Sequence, residues 1–257
     1  MGGLSRVRAV ASNTFRETVR ERVLYNLVFF AILMTLSGLL LGQLSIRQDE
    51  KIIKDLGLAA MDAFGTLIAI FVGVGLVSKE IDKRSLFPLL AKPVSRDEFL
   101  LGKFAGLSFT LLVNVAVMGA GLYLTLLATG RRLDLGLLKA IYAILLGLAL
   151  TVALALLFSV FTSAALATIC TVSLVVAGRF SDVIQHLRDV APGAPGWLVR
   201  SLYYALPNFR NFDLKDRVVY GDPVTVTDLG WITGYAVAYV AVALGVAMAG
   251  FRSRELS

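Results

Sequence analysis

The sequence predicts an all-α membrane protein of six transmembrane helices, preceded by a short amphipathic helix. Two observations predict it. Hydrophobic residues make up 57% of the 257 positions, charged residues only 17%, and mean hydropathy is +0.78, outside the range of ordinary soluble domains. The apolar residues also fall into runs near or above the roughly 20 needed to cross a bilayer, spread from end to end. A single transmembrane domain over residues 1–257 follows, with no room for a separate soluble enzyme.

In chain order, residues 1–22 form the amphipathic element. Leu4, Val7, Ala11, Phe15 and Val19 recur at three- and four-residue spacing on one helical face, and Arg6, Arg8, Arg16, Arg20 and Arg22 supply the polar surface. Such a basic amphipathic helix is expected to lie flat at the headgroup level. The alternative, the n-region of a signal peptide, is disfavoured because the following run is too long for an h-region and lacks a cleavage site. The spans are expected at 23–44, 57–78, 99–128, 137–161, 164–178 and 230–251, with Ser45–Leu56 a charged loop. In span 2, Gly65, Ala69 and Gly73 fall four apart, a ridge of small residues that lets another helix approach closely. Asp62 lies inside the same span, near the end opposite Lys79. It is either an intramembrane functional carboxylate or an acid at the outer interface.

Span 3 is long enough to project beyond the bilayer at its Lys103 end, where Gly102 and Gly106 keep it slim. Asn114 sits near mid-span, where an unpaired amide is costly and is expected to bond to another helix. Span 5 has 15 residues, short for a straight crossing. The segment 181–228 is expected outside the cytoplasm. It contains apolar faces on either side of A-P-G-A-P-G, an aromatic cluster at Trp197, Tyr203 and Tyr204, and a turn at Tyr220-Gly221-Asp222-Pro223. His186, the only histidine, has no metal-ligating companion, and Cys170 reads as a small buried hydrophobe.

The charge-dense stretch between spans 2 and 3, Lys79 to Lys103, embeds Leu86, Phe87, Leu89 and Leu90. A linker between membrane spans has no solvent-side reason to carry such a cluster, so it reads as a contact surface, or else as a patch lying on the membrane. Pro93 stops any short helix there. Ser95 and Glu98 form a capping-box pattern that opens the next helix, with Asp97 and Glu98 near its N-terminus.

This stretch resembles the first cytoplasmic loop of ABC-2 type transporter permeases. The residues that carry the resemblance are Glu80, Arg84-Ser85-Leu86, Leu89-Leu90, Pro93-Val94-Ser95-Arg96 and Gly102-Lys103, with a weaker likeness through six spans and Leu206-Pro207-Asn208-Phe209. One departure is Arg84, where many members carry Gly. The resemblance implies a type V exporter-like permease fold, an elbow helix ahead of span 1 and short re-entrant or surface helices between spans 5 and 6. It implies that Arg84–Ala91 is a coupling helix whose Leu86, Phe87, Leu89 and Leu90 dock in a groove of a separate ATPase subunit. Glu80, Arg84, Pro93 and Arg96 would flank that contact. It also implies two ATPase copies, which bind the ATP and Mg, a second permease chain, identical or not, and residence in the bacterial cytoplasmic membrane.

Orientation follows from basic residues. With both termini inside, thirteen of the twenty-five Lys and Arg fall on the cytoplasmic side, in fewer loop residues than the other side has. The net charge of +7 then reflects cytoplasmic loops and anionic lipid rather than nucleic acid. No P-loop, H-E-x-x-H or G-x-S-x-G pattern occurs, so no cofactor is expected in this chain and enzyme readings are weak. The leading expectation is a permease subunit that couples ATP hydrolysis in a partner to export. The competitors are a self-contained channel or secondary carrier and a non-transporting assembly factor. Few polar residues face any pathway, which leans toward a lipid-linked, polymeric or amphipathic cargo.

Overall fold

The computed structural model describes residues 3–18, 29–30, 32, 49–82, 95–130, 134–181 and 206–253. Seven α-helices and one 3-10 turn lie within them: α1 (Gly3–Thr18), α2 (Asp49–Asp82), α3 (Arg96–Ala128), α4 (Gly136–Phe161), α5 (Ala164–Arg179), the turn Phe209–Phe212, α6 (Lys215–Tyr220) and α7 (Val226–Ser253). Most of expected span 1, the loop residues Arg84, Leu86, Phe87, Leu89, Leu90 and Pro93, His186 and the Trp197 cluster lie outside the described residues. Among the described residues, four helices are long and apolar enough to cross a membrane by length and composition, at Glu50–Leu76, Arg96–Ala128, Gly136–Phe161 and Val226–Arg252. The apolar α5, of 16 residues, is shorter.

Helix α4 is the centre of the bundle. Two-thirds (67%) of its most apolar window is buried inside the protein, against 28% for α7, so α4 is enclosed and α7 is peripheral. Helices α2 and α7 run parallel to α4, whereas α3 and α5 run the other way. The register is fixed by close approaches: Gly65 to Leu148 and Gly73 to Ala155 between α2 and α4, and Gly57 to Leu122 between α2 and α3. The outward faces of α5 and α7 carry exposed Ile169, Val172, Trp231, Val237 and Val242, apolar surface suited to hydrocarbon.

Several boundaries differ from the sequence reading. Residues 49–56 are helical instead of a charged loop, because Lys54 is folded back and paired with Glu50, one turn earlier, and with Asp134. The α2 helix also continues to Asp82, so the linker to α3 is shorter than Lys79–Glu98. Part of the expected polar stretch 208–228 is ordered as the 3-10 turn and α6. Gly221, at φ +83°, closes α6 in the left-handed conformation at the turn the sequence marks. Helix α7 begins at Val226, four residues early. There the Thr225 amide N–H donates to Asp228 Oδ2 (3.1 Å), and the Asp228 amide N–H donates to Thr225 Oγ1 (3.2 Å), a reciprocal cap.

Candidate functional site

At the loop-bearing end, α3 opens with the cap its sequence predicts. Ser95 Oγ accepts the Glu98 N–H at 3.2 Å, and Glu98 Oε2 accepts the Ser95 N–H at 2.9 Å. Three further contacts lock this first turn to both ends of the chain. Arg96 Nη1 donates to the Phe251 carbonyl (2.7 Å), and its guanidinium lies 5.7 Å from the Phe251 ring centre. Asp97 accepts two hydrogen bonds from the Arg252 guanidinium, one of them from Nε at 3.0 Å. Glu98 pairs with Arg6 of α1 at 3.3 Å. Arg252 is largely exposed, so solvent screens its pair, which adds little stability by itself. The buried Phe99, stacked near Phe251, supplies apolar contact beneath it.

Helix α1 does not stand clear of the bundle. Val7 and Val10 meet Gly102, Ala11 and Thr14 meet Gly106, and Phe15 meets Phe109, so α1 runs parallel to the first turns of α3. A Cβ on Gly102 would lie 2.6 Å from Val10 Cβ, and one on Gly106 would lie 2.6 Å from the Ala11 carbonyl oxygen. These two glycines, four apart, therefore let two backbones meet. The buried face of α1 is centred on Thr14 and Thr18, while Leu4, placed on the apolar face by its spacing, is 89% exposed. Under α1 sits Lys103, 1% exposed, with its ammonium 3.8 Å from Glu17 and 5.6 Å from the Phe99 ring centre.

The other residues singled out from sequence fall as follows. Glu80 is in the last turn of α2. Gly65, Ala69 and Gly73 line the α2 side of the contact with α4: Ala69 is buried, and a Cβ at Gly73 would lie 3.0 Å from Ala155 Cβ. Asn114 is fully buried in α3, but neither amide atom has a hydrogen-bond partner among the described residues. At the opposite end Asp62 is paired bidentately with Arg179 of α5, Nη1 to Oδ2 at 2.6 Å and Nη2 to Oδ1 at 3.0 Å. Arg179 Nη2 also donates to Thr66 Oγ1 at 3.1 Å.

Sequence reasoning missed Arg179, whose signal was available: the cation that ends the short apolar run of span 5. It also missed the Lys54–Asp134 pair (2.8 Å), which ties the start of α2 to the α3–α4 connection. Burial alone would raise the Asp134 carboxyl. Hydrogen bonds from Lys54 and the Gly136 N–H outweigh burial and hold it below the usual carboxylate range.

These features, long apolar helices packed through small residues with charge confined to their ends, define a helical, multi-pass membrane protein. The family model described as ABC-2 family transporter protein matches residues 8–186. That is more than half of the chain, and the protein belongs to this family. No curated protein matches it.

Proposed function

We propose that the chain is the membrane-spanning permease subunit of an ABC transporter, with six spans over a single domain and both termini cytoplasmic. It couples ATP hydrolysis in a separate ATPase subunit to export across the cytoplasmic membrane. Two ATPase copies bind ATP and Mg, and a second permease chain completes the assembly. The Arg84–Ala91 segment is the coupling helix, with Leu86, Phe87, Leu89 and Leu90 as its docking face.

The observation that carries this reading is the first turn of α3. The Pro-Val-Ser-Arg motif that ends the loop feeds directly into a cap that is tied to α1 through Glu98 and to the end of α7 through Arg96 and Asp97. A load on the loop reaches three helices through that turn. Arg96 is engaged by the carbonyls of α7, which supports a role in transmitting the load rather than in touching the ATPase.

The test is purification of the tagged chain in mild detergent from its native membrane, alongside Leu89→Asp, which puts a charge on the docking face. A P-loop ATPase that co-purifies with the parent and is absent from the variant supports the reading. If no ATPase comes down with folded parent protein, the chain lacks an engine and the channel or carrier reading takes over.

A further inference from the structure

At the end of the bundle opposite the loop is a cavity of about 530 Å³, a size typical of small-ligand sites. Its charged lining is four cations, Arg179, Arg210, Lys215 and Arg217, against the carboxylates of Asp62, Asp213 and Asp216. There Arg179 is bound bidentately by Asp62, and the Lys215 ammonium lies between Asp62 at 3.8 Å and Asp213 at 3.6 Å.

Lys215 is the informative group. Its side chain is only 17% exposed, and its ammonium is 3.6 Å from Asp213 and 3.8 Å from Asp62. Among the described residues the ammonium makes only these two ion pairs, both longer than a hydrogen bond. An ammonium carries three donors, and carboxylates at this range leave them open to a closer acceptor. Arg179, held in place by Asp62 and Thr66, uses three of its five N–H groups and lines the same cavity. Beside these donors the wall is apolar, formed by Ile144 and by Phe209 and Phe212, whose ring centres are 6.1 Å apart.

We propose that this cavity binds an organic oxyanion, a phosphate or carboxylate group attached to an apolar body. The anionic group fills the open donors of Lys215 and Arg179, while the apolar part lies against Phe209 and Phe212. Asp62 acts as a positioning residue that aims the Arg179 guanidinium. A bare inorganic anion satisfies the donors but leaves the aromatic wall uncovered, and a cation meets a lining with one more cation than carboxylates. The site rests on this geometry alone and is independent of whether an ATPase drives the chain.

The experiment uses the full chain in phosphatidylcholine nanodiscs, with 2-naphthyl phosphate as a fluorescent probe and empty discs as background. The expected result is saturable binding that inorganic phosphate, 2-naphthol and 2-naphthylmethylammonium match only about tenfold more weakly or worse. Lys215→Met should weaken probe binding by about tenfold or more, the scale of a lost charge-assisted hydrogen bond, whereas Lys215→Arg retains it. Lys51→Met, outside the cavity, should leave it unchanged. Binding of 2-naphthol or the ammonium as tight as that of the phosphate overturns the proposal on the parent protein alone, whether or not the variants fold. Absence of saturable binding above empty discs, or an unchanged affinity in folded Lys215→Met, overturns it equally. A further arm replaces part of the phosphatidylcholine with phosphatidic acid. Competition with the probe assigns the site to a lipid headgroup, and no competition assigns it to a soluble anion; either keeps the site.

Discussion

The parallel docking of α1 on α3 makes a quantitative prediction at Gly106. A methyl added there meets the Ala11 carbonyl oxygen at 2.6 Å and Thr14 Cβ at 2.7 Å. Neither atom is the far end of a flexible side chain, so restoring a contact of about 3.5 Å requires α1 to withdraw by about 0.9 Å. A gap of that size forfeits a quarter to a half of the dispersion attraction of the neighbouring contacts. Overpacking of this kind costs about 1–3 kcal/mol. The gain in helix propensity from Gly→Ala does not offset it, because α3 stays helical whether or not α1 is docked. The undocked population should therefore rise by about 5- to 150-fold. Thr14, fully buried in the interface, provides the reporter. In a Cys170→Ser background, Thr14→Cys is modified by maleimide only when α1 lifts, and under slow labelling the rate tracks that population. Gly106→Ala should accelerate labelling by that factor. Gly234→Ala on α7, where a Cβ meets nothing within 4 Å, should not. Labelling of Gly106→Ala at the parental rate would refute the docking geometry.

Three other outcomes follow from the same contacts. Arg96→Gln removes the hydrogen bond to the Phe251 carbonyl and the cation over its ring, so amide exchange in the last turn of α7 should accelerate by about tenfold or more in hydrogen-exchange mass spectrometry. The Asp134 carboxyl is held low by Lys54 and Gly136, so its contribution to stability is present above about pH 3.9 and lost as pH falls through its lower folded-state value. The melting-temperature gap between parent and Asp134→Asn should accordingly be level from pH 8 to 5 and close below about pH 3.9. Gly73→Leu should destabilise the detergent-solubilised protein by about 1–3 kcal/mol, because its Cβ already lies 3.0 Å from Ala155, while Gly75→Leu, which meets nothing within 4 Å, should be tolerated; equal melting of the two would mean that α2 and α4 are not packed through Gly73.

What the sequence made legible depended on how local the cause was. The start of α3 was readable to the residue because Ser95 and Glu98 sit three apart and cap each other. The limits of α5 were readable because polar residues bracket one unbroken apolar run. The start of α2 was misread because charge between Asp49 and Leu56 suggested a loop. Glu50 and Lys54, one turn apart, carried the helical signal, but the partner that makes their burial tolerable, Asp134, is eighty residues beyond Lys54. The apolar face of α1 was visible as periodicity, yet periodicity says that a face is covered and not by what. Gly102 and Gly106 were visible too, but only the neighbouring backbone of α1 shows why they are glycines. The Asp62–Arg179 pair spans 117 residues, and no spacing rule reaches that far.

Helix α2 gives the two ends of the molecule a physical connection. It is one unbroken helix of 34 residues, about 51 Å long at 1.5 Å per residue, with no proline to kink it. Glu80 stands in its last turn, where the proposed coupling loop departs. Asp62 lies eighteen residues earlier, about 27 Å along the axis, and faces Arg179 in the cavity. Between them Gly65 receives the side chain of Leu148 and Gly73 lies against Ala155, so α2 and α4 meet at close range. An axial displacement of α2 would be felt at Asp62, where about one ångström is enough to break a hydrogen bond of 2.6–3.0 Å to Arg179. Glu80 and Asp62 ride on the same continuous helix, so a change at one end of α2 has a direct physical path to the ion pair at the other.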